Sequence, residues 1–136
     1  MRKVLFVCVG NSARSIMAEA LFNAVSPDGW KASSAGTKPA GSISGDAIAV
    51  LDEVGVKVEK DAPSLLGPKL AKSADIGITM GCGVEDECAV LFTPVKEDWG
   101  LDDPKGQSIE KFREMRDEIK RRVERLIEGI ESEENR

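Results

Sequence analysis

Lys3-Val4-Leu5-Phe6-Val7-Cys8-Val9-Gly10-Asn11-Ser12-Ala13-Arg14-Ser15-Ile16-Met17 is the stretch whose reading decides the fold. Its first five residues form a short, nearly continuous apolar run, which suits a strand covered on both faces, as in a parallel sheet. Gly10-Asn11-Ser12 breaks the run. Beyond the break, Met17, Ala20, Leu21, Ala24 and Val25 recur at three- and four-residue steps, the period of a helix with one buried face. Pro27-Asp28-Gly29 stops that helix.

The same reasoning extends along the chain. Trp30–Ala35 reads as a second strand closed by Gly36, and Pro39–Gly45 as a loop. Ser44 is placed to cap a helix with Ile48, Leu51 and Val54 on one face, ending at Gly55. A short helix is expected over Pro68–Ser73, a third buried strand over Asp75–Met80 and a fourth over Ala89–Val95. Between the last two lies an acidic, glycine-bearing loop or short helix from Cys82 to Cys88, and Asp102-Asp103-Pro104 reads as a turn. The last helix carries an apolar stripe of Ile109, Phe112, Met115, Ile119, Val123, Leu126, Ile127 and Ile130. Asp117→Arg121 and Glu118→Arg122 are spaced as supporting pairs on its wet face, and Glu131–Arg136 is expected to fray. The order strand-helix-strand-helix-helix-strand-strand-helix predicts an α/β sandwich with a mostly parallel sheet. With 136 residues and no linker or repeat, residues 1–136 are expected to form a single domain.

Composition removes chemistry. The chain has three cysteines, no histidine and no tyrosine. That excludes a Ser-His-Asp triad, a Cys-His dyad and a His-ligated zinc. Zinc wants four ligands, so no metal site and no cofactor are expected. A net charge of −5 suits no general nucleic-acid partner, because phosphate affinity comes mostly from lysine and arginine. Arg2-Lys3 and the apolar run after it are too short for a signal peptide, and no stretch approaches a membrane span. A cytoplasmic location follows, where cysteines are free thiols or redox players.

Cys8 through Ser15 has the form Cys-x5-Arg-Ser between a strand and a helix. Such a turn gathers the backbone N–H groups of Val9, Gly10, Asn11, Ser12, Ala13, Arg14 and Ser15 around one spot, with the positive end of a helix behind them. The place is built for an oxyanion, and the Arg14 fork can hold two of its oxygens. The same field favours the Cys8 thiolate, the nucleophilic form. Gly10 lets the backbone approach a ligand, Asn11 can brace the loop, and the Ser12 and Ser15 hydroxyls can hydrogen-bond the thiolate. The bland alternative is a buried, inert cysteine at a strand end; the strand-turn-helix context argues against it.

This motif resembles the phosphate-binding loop of the low-molecular-weight protein tyrosine phosphatase superfamily. Further segments are similar to its thioredoxin-coupled arsenate reductase branch: Met17-Ala18-Glu19-Ala20, Ser34-Ala35-Gly36, Thr79-Met80-Gly81-Cys82-Gly83 and Asp98-Trp99-Gly100-Leu101-Asp102-Asp103-Pro104. The resemblance covers nearly the whole chain in order. It implies a three-layer α/β sandwich with a four-stranded parallel sheet in the order 2-1-3-4, whose carboxyl edge brings the ends of strands 1 and 3 together. It implies that Asp103, directly before Pro104, is the general acid, and that Cys82 and Cys88 take over the oxidation from Cys8. Counted from Thr79, Cys88 falls where the family's last cysteine does, but the middle one is displaced by one residue, with Gly81 in its place. Either Cys82 or Cys88 can then attack first.

What the resemblance implies is reduction of arsenate, with thioredoxin or a similar dithiol as partner, by a monomer. The rival is a tyrosine or aryl phosphatase working through a Cys8 phosphocysteine. That class usually has a tyrosine soon after the Asp-Pro, where this chain has Lys105-Gly106-Gln107, and it has no need of Cys82 and Cys88. A side phosphatase activity is compatible with the shared loop. A non-catalytic oxyanion-binding or redox-sensing module would leave Asp103 without a purpose.

Overall fold

A computed structural model of the chain describes residues 1–80, 95–102, 104 and 106–134. Along them run β1 (Arg2–Cys8), α1 (Arg14–Ala24), β2 (Trp30–Gly36), α2 (Gly45–Asp52), α3 (Pro68–Ser73), β3 (Ile76–Thr79), β4 (Val95–Asp98) and α4 (Ile109–Glu134). The strands make one sheet in the order β2-β1-β3-β4, parallel throughout. β1 is central, paired along its length with β2 and from Val4 to Val7 with β3.

The continuous apolar run of β1 is explained by the two layers it separates. Val4, Phe6 and Cys8 face a core shared with α1, α2 and α4, while Leu5 and Val7 face a smaller cluster with Ala35, Leu66 and Ala71 of α3. Alternation along the strand thus buries every residue from Val4 to Cys8, with helices on both faces. Trp99, just past β4, packs its ring on Phe6 with centroids 5.5 Å apart, and Phe22 meets Phe6 edge-on at 6.2 Å. Among the described residues, no helix is long and apolar enough to cross a membrane.

Four details differ from the sequence reading. Ser44 does cap α2, its Oγ accepting from Ala47 N at 3.2 Å, but the buried face is Ala47, Val50 and Leu51. Ile48 and Val54 stay 44% and 43% exposed. The rotation is fixed by α4: Arg116, itself buried, donates Nη1 to the Val50 carbonyl at 2.8 Å. The fourth strand is Val95–Asp98, whereas residues 89–94, where it was expected, lie outside the described residues. Its charged residues escaped a search for apolar runs because an edge strand with exposed Glu97 and Asp98 needs no apolar cover there. On α4, Glu118 takes both Arg121 and Arg122 at 2.8 Å, while Asp117 accepts from Arg116 instead of Arg121. Finally, the tail stays helical to Glu134, whose Oε1 accepts from the Trp30 indole N–H at 2.6 Å.

Glu53 gives the fold an acid-sensitive clamp. It accepts from Arg113 Nη2 and Arg116 Nη1, each at 2.8 Å. Hydrogen bonds from Arg113 first, then Arg116, hold its carboxyl down at about 2, from an ordinary 4.5. A depressed acid stabilises the fold above its unfolded value and loses that contribution as pH falls through its folded one. The melting temperature of wild type should therefore exceed that of Glu53→Gln above pH 4.5, and the gap should close as pH falls toward about 2. Because Glu53 and Arg113 are solvent-exposed the gap will be small. A gap unchanged across that range would contradict the assignment.

Candidate active site

The site forms where β1 ends and α1 begins, at the carboxyl edge of the sheet. Residues 9–13 connect the two, and their backbone direction is set by a neighbour. The N–H groups of Thr37, Lys38, Ala40 and Ser44 donate to the carbonyls of Cys8, Val9, Gly10 and Ser12 at 2.9–3.3 Å. In a planar trans peptide the next residue's N–H points opposite to the carbonyl. The amides of Val9, Gly10, Asn11 and Ala13 are thereby turned away from the 37–44 segment. Asn11 N is one of them, and it donates to Cys8 Sγ at 3.2 Å. α1 follows Ala13 at its N-cap position with no side-chain cap and no acid in its first turn, so its positive end is left for an anion.

Cys8 is 2% exposed and carries a free thiol. Ser15 Oγ lies 2.9 Å from its sulfur. Asn11 Nδ2 donates to Ser15 Oγ at 2.8 Å, and Asn11 Oδ1 accepts from Ser64 N at 2.8 Å. Ser15 Oγ accepts from Asn11 and still has its own proton to give, so it can donate to Cys8 when the sulfur is a thiolate. Asn11 pays for this bridging role with a left-handed backbone, φ 49°, which asparagine tolerates better than most residues.

Arg14 is buried, and its Nη1 donates to the carbonyls of Met80 at 2.8 Å and Leu101 at 2.9 Å. Two of the five guanidinium N–H groups therefore brace the ends of β3 and of the segment after β4. The expected two-oxygen fork is accordingly also a structural brace. A cavity of about 240 Å³ opens in front, lined by Cys8, Val9, Gly10, Ser12, Ala13, Arg14, Lys38 and Ala40. Asp103, Cys82 and Cys88 lie outside the described residues.

Two residues of this site escaped the sequence reading. Lys38 adds a second cation to the cavity wall, and nothing nearby in the chain marks it. Gly36 pairs with Cys8 across β1 and β2. A Cβ there would sit 2.4 Å from the Val9 carbonyl oxygen and 2.9 Å from Asn11 N, so the loop closes over a bare backbone. At Gly10, by contrast, a Cβ would meet only ordinary contacts, the nearest at 3.5 Å.

The sequence profile of the family "Low molecular weight phosphotyrosine protein phosphatase" matches residues 3–136. Arsenate reductase 1 of Staphylococcus epidermidis is 36% identical over 130 residues, 95% of this chain and 98% of that protein. The YwlE arginine phosphatase from Geobacillus stearothermophilus superposes with a TM-score of 0.88 at 32% identity, covering 98% of this chain and 95% of the other. The thioredoxin-dependent arsenate reductase from Corynebacterium glutamicum superposes with a TM-score of 0.82 at 32% identity, covering 98% of this chain and 63% of that one.

Proposed function

The chain belongs to the low molecular weight phosphotyrosine protein phosphatase family, and we propose that it reduces arsenate to arsenite in the cytoplasm through a three-cysteine relay recharged by thioredoxin. The observation that carries this reading is the double grip of Arg14. By holding the carbonyls of Met80 and Leu101, it gathers at the anion loop the two chain segments that lead to Cys82 and Asp103. The reductases named above supply the substrate and the thioredoxin partner, and the paired distal thiols fit no phosphatase step.

Arsenate docks on the loop amides and Arg14. The Cys8 thiolate attacks arsenic, and Asp103 gives its proton to the departing oxygen, which leaves as water. The Cys82 thiolate then attacks Cys8 Sγ. The sulfur–arsenic bond breaks, its electron pair stays on arsenic, and As(III) departs as arsenite. Cys88 attacks Cys82, forming a Cys82–Cys88 disulfide and releasing Cys8 as thiolate. The dithiol of thioredoxin reduces that disulfide.

Purified protein with thioredoxin, its reductase and NADPH should consume NADPH only when arsenate is added. Cys88→Ser should stop after one turnover with a Cys8–Cys82 disulfide that peptide mapping recovers. If mapping instead recovers Cys8–Cys88 from Cys82→Ser, the order of attack is reversed. The second reading, hydrolysis of a phosphorylated residue through a Cys8 phosphocysteine, is favoured by the superposition on an arginine phosphatase. Phosphoarginine and an aryl phosphate run beside arsenate decide between them: brisk phosphate release with no arsenate-dependent NADPH loss would overturn the reductase.

A further inference from the structure

The stretch between α2 and α3 holds a charged group that the reaction above does not use. Lys60 is half-buried, and its Nζ donates to the Ser34 carbonyl at 2.7 Å and lies 3.4 Å from Ser34 Oγ. Ser34 is buried on β2, and its hydroxyl donates to Glu19 of α1 at 3.0 Å. A solvated surface lysine has no reason to be fixed on a buried strand carbonyl.

The segment that begins at Lys60 leads to the nucleophile. Gly36 N donates to the Ser64 carbonyl and Leu66 N to the Gly36 carbonyl, both at 2.8 Å, which laces the segment to the end of β2. In the middle of that lacing, Ser64 N holds Asn11 Oδ1, and Asn11 orients Ser15 toward Cys8. Lys60 is therefore the outer anchor of the strap that sets the Asn11–Ser15–Cys8 chain. It also acts through its charge. Burial pushes its ammonium below the usual lysine range, and the charges of Glu19 and Cys8 pull the other way. Burial pushes Glu19 up, against the opposing pull of Lys60, the Ser34 hydrogen bonds and Lys31. The charged groups around Lys60 are thus Glu19 from α1, Lys31 from β2 and Cys8 from β1, with Lys57 and Glu59 on its own segment beside the same cleft.

We propose that Lys60 is a positioning residue for Cys8: fixed on Ser34, its ammonium anchors the strap that holds Asn11 and supplies a standing positive charge that favours the Cys8 thiolate. The inference rests on Cys8 being the nucleophile, and not on which oxyanion it attacks. Without the ammonium, the strap loses its outer anchor, and the thiolate and the Glu19 carboxylate lose the cation they share.

The test uses the full chain with Cys82→Ser and Cys88→Ser, which leaves Cys8 as the sole thiol. Its alkylation by iodoacetamide is followed across pH. Lys60→Met should raise the midpoint of alkylation by about half to one pH unit, while Lys60→Arg should restore most of the shift. A midpoint unmoved by Lys60→Met overturns the proposal, and so does one that Lys60→Arg moves equally. If thermal melts show that Lys60→Met has lost its fold, Lys60→Gln keeps a donor to Ser34 without the charge and carries the same comparison. Alkylation needs no arsenate. A failed arsenate assay with the shift intact therefore removes the reductase reading alone, and a missing shift beside normal arsenate turnover removes this one alone.

Discussion

Replacing Cys8 by serine lowers turnover roughly 10⁴-fold or more and leaves oxyanion binding in place. The two effects separate because different atoms carry them. The anion is held by loop amides, the uncapped start of α1 and Arg14, none of which the substitution touches. The sulfur supplies the nucleophile and the electron exchange, and a serine hydroxyl at neutral pH supplies neither. Ser15 and Asn11 N would still hydrogen-bond an oxygen at that position, so the loop keeps its shape. Steady-state assays measure the first effect, and calorimetric titration with phosphate, a non-reducible arsenate mimic, measures the second. Residual turnover above a few per cent of wild type would mean that another group attacks arsenic.

Gly36→Ala should be the most damaging substitution that removes no functional atom. Its methyl would sit 2.4 Å from the Val9 carbonyl oxygen and 2.9 Å from Asn11 N, both backbone atoms. No flexible side chain can give way, so β2 must part from β1 near Cys8 or the loop must shift. Overpacking of this kind costs about 1–3 kcal/mol, sometimes more. For a chain of this size that lowers the melting temperature by roughly 5–10 °C. Because the colliding atoms belong to the anion loop, phosphate affinity should fall by about tenfold or more as well. The same change at Gly10 should cost the fold little, since its Cβ would find only ordinary contacts. Equal losses at the two glycines would contradict the steric account.

Local pattern reached much of this fold. The apolar run of β1, the break after Cys8 and the helical period that follows are all short-range signals, and they marked the strand, the loop and α1. Ser44 and Pro68 announced the starts of α2 and α3 through capping and proline chemistry. What local pattern could not reach was set by distant partners. The buried face of α2 depends on Arg116, 66 residues away along the chain. β4 is charged because it lies at an edge, and edges are a property of the whole sheet.

The site divides the same way. Cys8, Arg14, Asn11 and Ser15 lie within eight consecutive residues; hydrogen bonds join Cys8, Asn11 and Ser15, and Arg14 lines the same cavity as Cys8. Gly36 and Lys60 escaped because their roles arise only when β2 is zipped to β1 and the 60–66 strap is laid across its end. Before that pairing, a glycine after a strand is a stop signal and a lysine between charged neighbours is a solvated surface residue. Asp103, Cys82 and Cys88 were reached through family resemblance alone, since an aspartate before a proline and two thiols in an acidic stretch carry no chemistry by themselves.

A single turnover in the absence of any reductant tests the central claim most directly. Fully reduced protein is mixed with excess arsenate, quenched with an alkylating agent and analysed for arsenite and for disulfides by peptide mass. The relay predicts one arsenite per protein molecule, a Cys82–Cys88 disulfide and an alkylatable Cys8. No arsenite and three alkylatable cysteines, in protein that still binds phosphate and hydrolyses an aryl or arginine phosphate, would contradict it.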